Sequence, residues 1–296
     1  MALKRDLEEV SSKSNLETSL KRDLETSSSG DDDFEDELSF TPGQYEDSSD
    51  SSEEEKEETI QVAFDFSDPS SLHYSSLKQF MSMYLPLDCF PATEMADLII
   101  EQVSVGTMIG VENEKEVYGF ITALNITHYQ NKISMSMITD YLKQHCPQEH
   151  RDELNTMLTS KKTALILNER MVNLPYQLVP PLHEALHQDI NWAISNGDTE
   201  TRHQFDIDTF IFISTIRYET GKKAGGQKRG KCDPIGSYHN FEDEFLKEVS
   251  EFHYKIDKPH CASELVTGIR REHVVMVVKK EAHLACIQQF GGMVNL

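Results

Sequence analysis

The residues His183-Glu184-Ala185-Leu186-His187 match the H-E-x-x-H pattern of zinc metalloproteases. On a helix the two histidines share one face and could ligate zinc, with Glu184 as the general base. With 12 histidines in 296 residues, such a chain contains this pattern by chance roughly one time in twenty. No third histidine follows six residues later, where Ala193 stands. We therefore interpret the pattern as a solvent-exposed helix face without a metal.

The segment from Thr220 to Lys231 is rich in glycine and lysine and nearly matches a nucleotide-binding P-loop. The match runs from Gly225 to Cys232, but Cys232 stands where Ser or Thr would ligate magnesium. Pro234 follows where the phosphate-binding helix would begin. The same residues nearly spell the pyrophosphate signature of acetyltransferases, again with cysteine at the last position. We reject both interpretations.

The positive charge of this loop, at about residues 220–233, predicts a different role. Its five basic residues lie within ten positions and are Lys222, Lys223, Lys228, Arg229 and Lys231. Such a cluster is typical of a nuclear-localisation signal or of a loop that binds an anionic partner. The alternative is a solvated loop without a partner.

Other catalytic chemistry has little support in the sequence. The five cysteines are odd in number and lack the close spacing of a zinc knuckle or a redox motif, which indicates free thiols in a reducing compartment. His203, His239 and His253 lack chelating spacing, so we assign them ordinary surface or core roles. We therefore predict no catalytic residues, no cofactor and no metal.

The first 58 residues form an acidic, serine-rich tail. They hold 20 acidic and 6 basic side chains, which is most of the excess negative charge in a chain of net charge −23. Self-repulsion and missing apolar area predict that this tail is disordered. Candidate phosphorylation sites with an acidic residue three positions later, as acidophilic kinases prefer, include Ser28, Ser29, Ser51 and Ser52. The tail either shields a basic client or only adds solubility.

Charge and hydropathy argue against two classes of partner. Nucleic-acid binding requires a basic surface at the phosphates, whereas an acidic chain attracts basic proteins. No apolar run approaches the roughly 20 residues that span a bilayer, and the first residues lack a signal-peptide core. We expect a nuclear and cytoplasmic protein, and we favour a monomer.

The elements that would position these residues centre on the segment from Thr163 to Leu186. Its apolar start, Ala164 to Leu167, predicts a buried strand, and Asn168-Glu169-Arg170 predicts a turn. The prolines that follow predict the start of a helix, where a missing N–H costs little.

The remaining chain alternates strand and helix patterns. Strand patterns begin at Ile60, Thr107, Val117, Thr209 and Val274. Helical patterns follow the N-cap candidate Asp68, and others begin near Thr93, Asn131 and Lys280, the third predicted to bury Ile133 and Met137. Irregular alternation with at least one hairpin predicts an α/β domain, residues 59–296, built on a mixed β-sheet with helices on both faces.

Two segments resemble the BCCIP family of eukaryotic nuclear proteins. The first is Val117-Tyr118-Gly119-Phe120-Ile121, which runs into Leu124-Asn125-Ile126-Thr127. The second, about forty residues later, has the sequence LILNERMVNLP and runs from Leu165 to Pro175. The resemblance extends from about Ile60 to the C-terminus, and it implies an acetyltransferase-like fold, similar to the GCN5-related N-acetyltransferases.

The resemblance also implies a non-enzymatic adaptor or chaperone that works with the nuclear transport machinery. The implied client is a basic large-subunit ribosomal protein, which gives roles in ribosome biogenesis and nuclear export. One alternative is an active acetyl-coenzyme A-dependent acetyltransferase. Another is a cell-cycle and DNA-repair scaffold that binds a tumour suppressor and a cyclin-dependent kinase inhibitor. A metalloprotease rests on the H-E-x-x-H match alone.

Overall fold

The computed structural model describes residues 62–85, 87, 89–112, 114–219, 236–257 and 269–294. The predicted acidic tail, the four candidate phosphorylation sites and the predicted basic loop lie outside these residues. The expectations about them therefore stay predictions. Within the described part of the chain, no helix is long and apolar enough to cross a membrane.

The described strands form one sheet of eight strands. Their bounds are β1 Phe64–Ser67, β2 Thr107–Val111, β3 Gly119–Asn125, β4 Thr163–Arg170, β5 Thr209–Glu219, β6 Gly236–Tyr238, β7 Phe252–Asp257 and β8 Ile269–Lys279. The order across the sheet is β1-β2-β3-β4-β5-β8-β7, and β6 pairs with part of β5. Strands β4 and β5 are parallel, and the other pairs are antiparallel. The predicted mixed sheet is confirmed.

Seven helices connect the described strands or flank them. Their bounds are α1 Tyr74–Tyr84, α2 Ala92–Glu101, α3 Ile133–His145, α4 Arg151–Thr159, α5 Val179–Asn196, α6 Glu242–Glu248 and α7 Lys280–Val294. Helix α5 carries the chain from β4 to the parallel strand β5, because a parallel pair requires a long crossover.

Helices cover both faces of the sheet, and each face has its own apolar core. The first core contains buried side chains of α1 to α4 against one face, among them Leu77, Met81, Met95, Ile138 and Leu142. The second core contains buried side chains of α5 and α7 against the other face, among them Leu182, Leu186, Ile190, Ile287 and Phe290. Strands buried on both faces are apolar at consecutive positions rather than at alternate ones. This explains the continuous apolar runs of β3 and β4.

The predicted turn at Asn168-Glu169-Arg170 is wrong, because β4 continues through all three residues. They pair in register with Ile121, Phe120 and Gly119 of β3. A polar sequence usually ends a buried strand, since burying polar groups without partners is costly. Here Asn168 and Arg170 have a buried partner of their own, and the strand can therefore remain regular.

Two predictions about helices also need correction. Asp68 does not cap α1, which instead follows a short 3-10 turn where the N–H of Ser70 donates to His73 Nδ1 at 3.2 Å. In α3 the predicted core residue Ile133 is 64% exposed, and Met135 is buried instead. The spacing of apolar residues in α3 is compatible with two adjacent faces, and tertiary packing selects one of them.

Candidate functional site

Strands β4 and β5 run side by side only at their beginnings. Thr163 to Ile166 pair with Thr209 to Phe212, and beyond this point the two strands part. Strand β6 pairs with β5 further along, at Ile216 to Tyr218. In open α/β sheets, ligands bind in crevices at the carboxyl ends of strands, where neighbouring connections diverge. A ligand site is therefore expected where β4 and β5 part.

This opening is filled by the chain itself. The side chain of Asn240, which follows β6, donates from Nδ2 to the backbone oxygen of Asn168 in β4 at 3.1 Å. The backbone N–H of His239 donates to the oxygen of Thr215 in β5 at 2.8 Å. Residues between β6 and α6 thus bridge the two parted strands with hydrogen bonds. A ligand that needed the same backbone groups would have to displace them.

A buried ion pair lies at the centre of this bridge. Arg170 donates from both terminal nitrogens to the two carboxylate oxygens of Glu242, at 2.5 and 2.7 Å. The Arg170 side chain is 5% exposed and the Glu242 side chain is fully buried. Asn168 adds a hydrogen bond from Nδ2 to Glu242 Oε1 at 2.9 Å. Bidentate pairs of this kind hold the two side chains in one geometry and also bring their opposite charges together.

Arg170 and Glu242 hold each other in their charged forms. Burial raises the pKa of Glu242, but the charge and hydrogen bonds of Arg170 outweigh burial and hold that pKa well below its usual range. Burial lowers the pKa of Arg170, but Glu242 reverses this shift and the pKa is raised. A pair in this state anchors structure and offers no proton at neutral pH.

The neighbouring carboxyl group, Asp243, is in the opposite state. Burial and the adjacent Glu242 charge raise its pKa well above the ordinary value. The hydroxyl of Ser214 donates to Asp243 Oδ2 at 2.5 Å. Two adjacent buried carboxyl groups with pKa values shifted apart are typical of functional sites, but buried structural networks produce the same pattern.

Three buried histidines extend the polar network away from Glu242. His183 Nε2 lies 3.4 Å from Glu242 Oε1, and His183 Nδ1 lies 2.9 Å from His283 Nε2. His283 Nδ1 lies 2.7 Å from His187 Nε2. Burial, followed by nearby positive groups, lowers the pKa of His187 to about 4 and that of His283 well below its ordinary value. His187 and His283 are therefore neutral at physiological pH.

The interpretation of H-E-x-x-H as a solvent-exposed helix face is wrong. His183 and His187 are buried against α7, whereas Glu184 between them is exposed. Their ring nitrogens hydrogen-bond to His283, and nitrogens at 2.7–2.9 Å leave no room for an ion between them, since zinc alone takes about 2.0 Å from each ligand. In the described residues no cluster of three His, Cys, Asp or Glu side chains has a metal-binding arrangement.

The end of β4 also carries an exposed apolar surface. Met171, Val172 and Tyr176 are 45%, 64% and 59% exposed, and we call these three residues the Met171 surface. The Met171 N–H donates to the backbone oxygen of Tyr118 at 2.8 Å, and the Tyr118 hydroxyl donates to Glu114 at 2.5 Å. The exposed Glu114 of the β2–β3 turn therefore lies beside this surface, and Glu112 and Glu116 are exposed positions of the same turn. Exposed apolar groups with a polar rim often mark protein–protein contacts.

Sequence reasoning missed most of this site. Arg170 and Glu242 are 72 positions apart, and His183 and His283 are 100 positions apart, so no spacing rule connects them. One signal was available, because an arginine three residues after the buried run Ala164 to Leu167 requires a carboxylate partner if the strand continues. His239 is half-buried, and burial, followed by the charge of Arg217, lowers its pKa to about 4.

Known proteins resemble this chain over a region that includes most of the described residues. A family model named BCCIP matches residues 59–246. Protein BCCIP homolog of Arabidopsis thaliana is 29% identical over 86% of this chain and 79% of its own length. Protein BCP1 of Debaryomyces hansenii is 27% identical over 67% of this chain and 73% of its own length.

Among solved structures, the crystal structure of BCP1 from Saccharomyces cerevisiae superposes with a TM-score of 0.58. It is 20% identical in sequence, and the match covers 81% of this chain and 93% of that one. At this identity the superposition shows that the fold is shared. Since the family model spans more than half of the chain, this protein belongs to the BCCIP family.

Proposed function

We propose that this chain is a non-enzymatic adaptor and chaperone that binds a basic client protein and escorts it between nucleus and cytoplasm. Within the BCCIP family, the client class implied by the resemblance is a large-subunit ribosomal protein. The biological roles that follow are ribosome biogenesis and nuclear export. The acidic surface of this chain covers the positive charge of the client until ribosomal RNA, a stronger polyanion, takes the place of this chain.

The observation that carries the proposal is the Met171 surface beside the acidic β2–β3 turn. Burial of exposed apolar side chains favours association, because each Å² removed from water contributes about 25 cal/mol before the entropic cost of binding is subtracted. The carboxylates at the rim select a partner of positive charge and increase its association rate. A basic segment with apolar side chains fits this combination, and a nucleic acid does not.

The net charge of the chain supports the same class of client. At −23 the whole protein attracts cationic proteins over about a Debye length, roughly 8 Å at physiological salt. The buried charges of Glu242 and Arg170 cancel each other locally, so they do not change this long-range attraction. The acidic tail, residues 1–58, would add to it.

The acetyltransferase alternative receives less support from the geometry. The parting of β4 and β5 is bridged by Asn240 and filled by the Arg170–Glu242 pair. The metalloprotease alternative needs Glu184 beside a metal, whereas Glu184 is exposed and both histidines are buried. Calorimetry with acetyl-coenzyme A tests the acetyltransferase alternative, because saturable binding of this cofactor would support it.

The proposal is tested by a quantitative pull-down from cell extract with the full chain as bait. Met171→Asp/Val172→Asp is compared with Leu72→Asp/Ile133→Asp, whose side chains are also exposed but lie elsewhere. We expect one basic protein at near-stoichiometric yield, lost with the first variant and retained with the second. Equal recovery with both variants contradicts the Met171 surface. Recovery of repair or cell-cycle proteins in its place would establish the scaffold alternative.

A further inference from the structure

Two arginines face each other across the central strands β5 and β8. Arg217 and Arg271 are directly opposite partners in the antiparallel register, so their side chains project from the same face of the sheet. This is the face that carries α1 to α4, because Ile211 and Val275 at the same parity belong to that core. Like charges directly opposite each other destabilise a sheet unless a counter-charge joins them.

A third polar side chain continues the same row. Ser237 of β6 is the directly opposite partner of Arg217 on its other side. Adjacent partners in a sheet place their Cβ atoms about 4.5–5.5 Å apart, so the row crosses three strands within about 10 Å. Ser237 and Arg271 are exposed and Arg217 is half-buried. We call Ser237, Arg217 and Arg271 the arginine row.

Among the described residues, neither arginine of the row has a carboxylate partner. The Nε atom of Arg217 is buried without a hydrogen-bond acceptor in that part of the chain. Burial and then the charge of Arg271 lower the pKa of Arg217, while the charge of Glu169 acts in the opposite direction. A buried donor of this kind calls for an acceptor, because burial without one costs free energy.

Arg270, at the same end of β8, has carboxylate partners in ordinary ion pairs. It lies on the opposite face and donates to Asp257 at 3.0 Å and to Glu272 at 2.6 Å. Its guanidinium also lies over the ring of Tyr218 at 5.9 Å. Arg270 is therefore a matched neighbour of Arg271, with equal charge but with its partners already in place.

We propose that the arginine row is a docking site for a phosphorylated segment of a partner protein. The phosphate would accept hydrogen bonds from both guanidinium groups and from the Ser237 hydroxyl, and its charge would relieve the repulsion between the arginines. A phosphoserine or phosphothreonine carries about −1.5 to −2 at pH 7 and three acceptor oxygens, which matches two arginines and one hydroxyl.

A single phosphate group suits this row better than a nucleic acid does. Nucleic-acid binding draws its affinity from many phosphate contacts, commonly about 6–10, on a basic surface. The arginine row offers two cations on a chain of net charge −23, which repels an extended polyanion. This inference does not depend on the proposed client, since a phosphorylated segment is acidic and the client is basic.

The test measures fluorescence anisotropy of a labelled pool of nonapeptides with phosphoserine at the centre and mixed flanking residues. The full chain is titrated into this pool and into the matched pool with unmodified serine. We expect saturable binding of the phosphoserine pool that is at least about tenfold tighter than binding of the serine pool. Arg217→Gln/Arg271→Gln should abolish the difference, and Arg270→Gln should retain it.

Thermal unfolding of the same variants checks that the loss is not a folding defect. Because Arg217→Gln/Arg271→Gln removes a like-charge pair, its midpoint should equal or exceed that of the unchanged chain. Equal affinity for both pools, or no saturable binding of the phosphoserine pool, overturns the proposal. Tighter binding of a single-stranded RNA of similar length, or of inorganic phosphate alone, overturns it as well.

Discussion

Gly119 lies directly opposite Arg170 in the antiparallel pairing of β3 with β4. A Cβ atom at position 119 would lie 2.8 Å from the Cβ of Arg170, closer than real side chains approach. The missing side chain leaves space for Arg170 to extend to Glu242. The two segments that carry the family resemblance, Val117 to Thr127 and Leu165 to Pro175, therefore meet at this contact.

Gly119→Ala should destabilise the fold by about 1–3 kcal/mol, because the added methyl forces Arg170 and its strand to shift. Gly291→Ala in helix α7 is the matched control, since a Cβ at position 291 would lie 3.6 Å from Pro180 of helix α5, which is an ordinary van der Waals contact. Chemical denaturation measures the free energy of unfolding of both variants. We expect the control to be neutral or slightly stabilising. Equal effects of the two changes would contradict the proposed collision.

The Arg170–Glu242 pair should show strong coupling in a double-mutant cycle. Arg170→Met leaves the carboxylate of Glu242 buried without its main partner, and we expect a loss of about 3–5 kcal/mol in the free energy of unfolding. Glu242→Leu should cost a similar amount by leaving Arg170 unpaired. The double variant removes both charges and should be less destabilised than the sum of the single changes. Simple additivity would show that the pair is not coupled.

The buried histidines should make the protein sensitive to mild acid. The folded pKa of His187 is about 4, below the ordinary 6.5, because of burial and then the charges of Lys280 and His183. Between these values the unfolded chain binds the proton and the folded chain does not, so stability falls as the pH drops from about 6.5 to about 4. His283, which bonds to the same rings, shifts in the same direction.

His187→Gln should therefore flatten the loss of stability between pH 7 and pH 5. From pH 6.5 to pH 4 the whole effect is on the order of 3 kcal/mol, and about 2 kcal/mol of it falls above pH 5, since one pKa unit corresponds to about 1.4 kcal/mol. His203→Gln is the control, because His203 is exposed. Urea denaturation at the two pH values measures the difference. A parallel decline in the His187 variant and in the unchanged chain would exclude the histidine chain as the cause.

Asp243 should act in the opposite pH direction. Its folded pKa is raised, first by burial and then by the charge of Glu242, so the folded state keeps a proton that the unfolded state releases. The stability linked to this proton is present at low pH and is lost as the pH rises through the raised pKa. Asp243→Asn should lessen the fall in unfolding free energy on going from pH 5 to pH 8. Asp140→Asn, at an exposed position of α3, should leave the pH dependence unchanged.

The sequence predicted the elements of the fold where short-range patterns decide them. Strand β5 begins at Thr209, as its apolar run predicts, and helix α5 ends at Asn196, directly before Gly197. The predicted hairpin is also confirmed, and it is formed by β2 and β3. Spacing could not choose between Ile133 and Met135 as the buried side of α3, because that choice depends on which surface the helix meets.

The histidines of H-E-x-x-H show which features of a site the spacing of a motif can predict and which it cannot. Their spacing fixed that both lie on one face of α5, and that much is confirmed. It could not say whether this face meets water, a metal or another helix. His283, which is 96 positions beyond His187, decided the outcome by placing a third ring between them.

By itself, the amino-acid sequence determined the excess of negative charge, the alternation of strands with helices and the resemblance to the BCCIP family. These properties depend on composition and on neighbours within a few positions, where the chain geometry is fixed. Only the tertiary structure decided that β4 continues through Arg170, that Glu242 meets this arginine, and that Arg217 faces Arg271. Those contacts join residues far apart in the chain, and they depend on strand order and register, which local physical rules do not set.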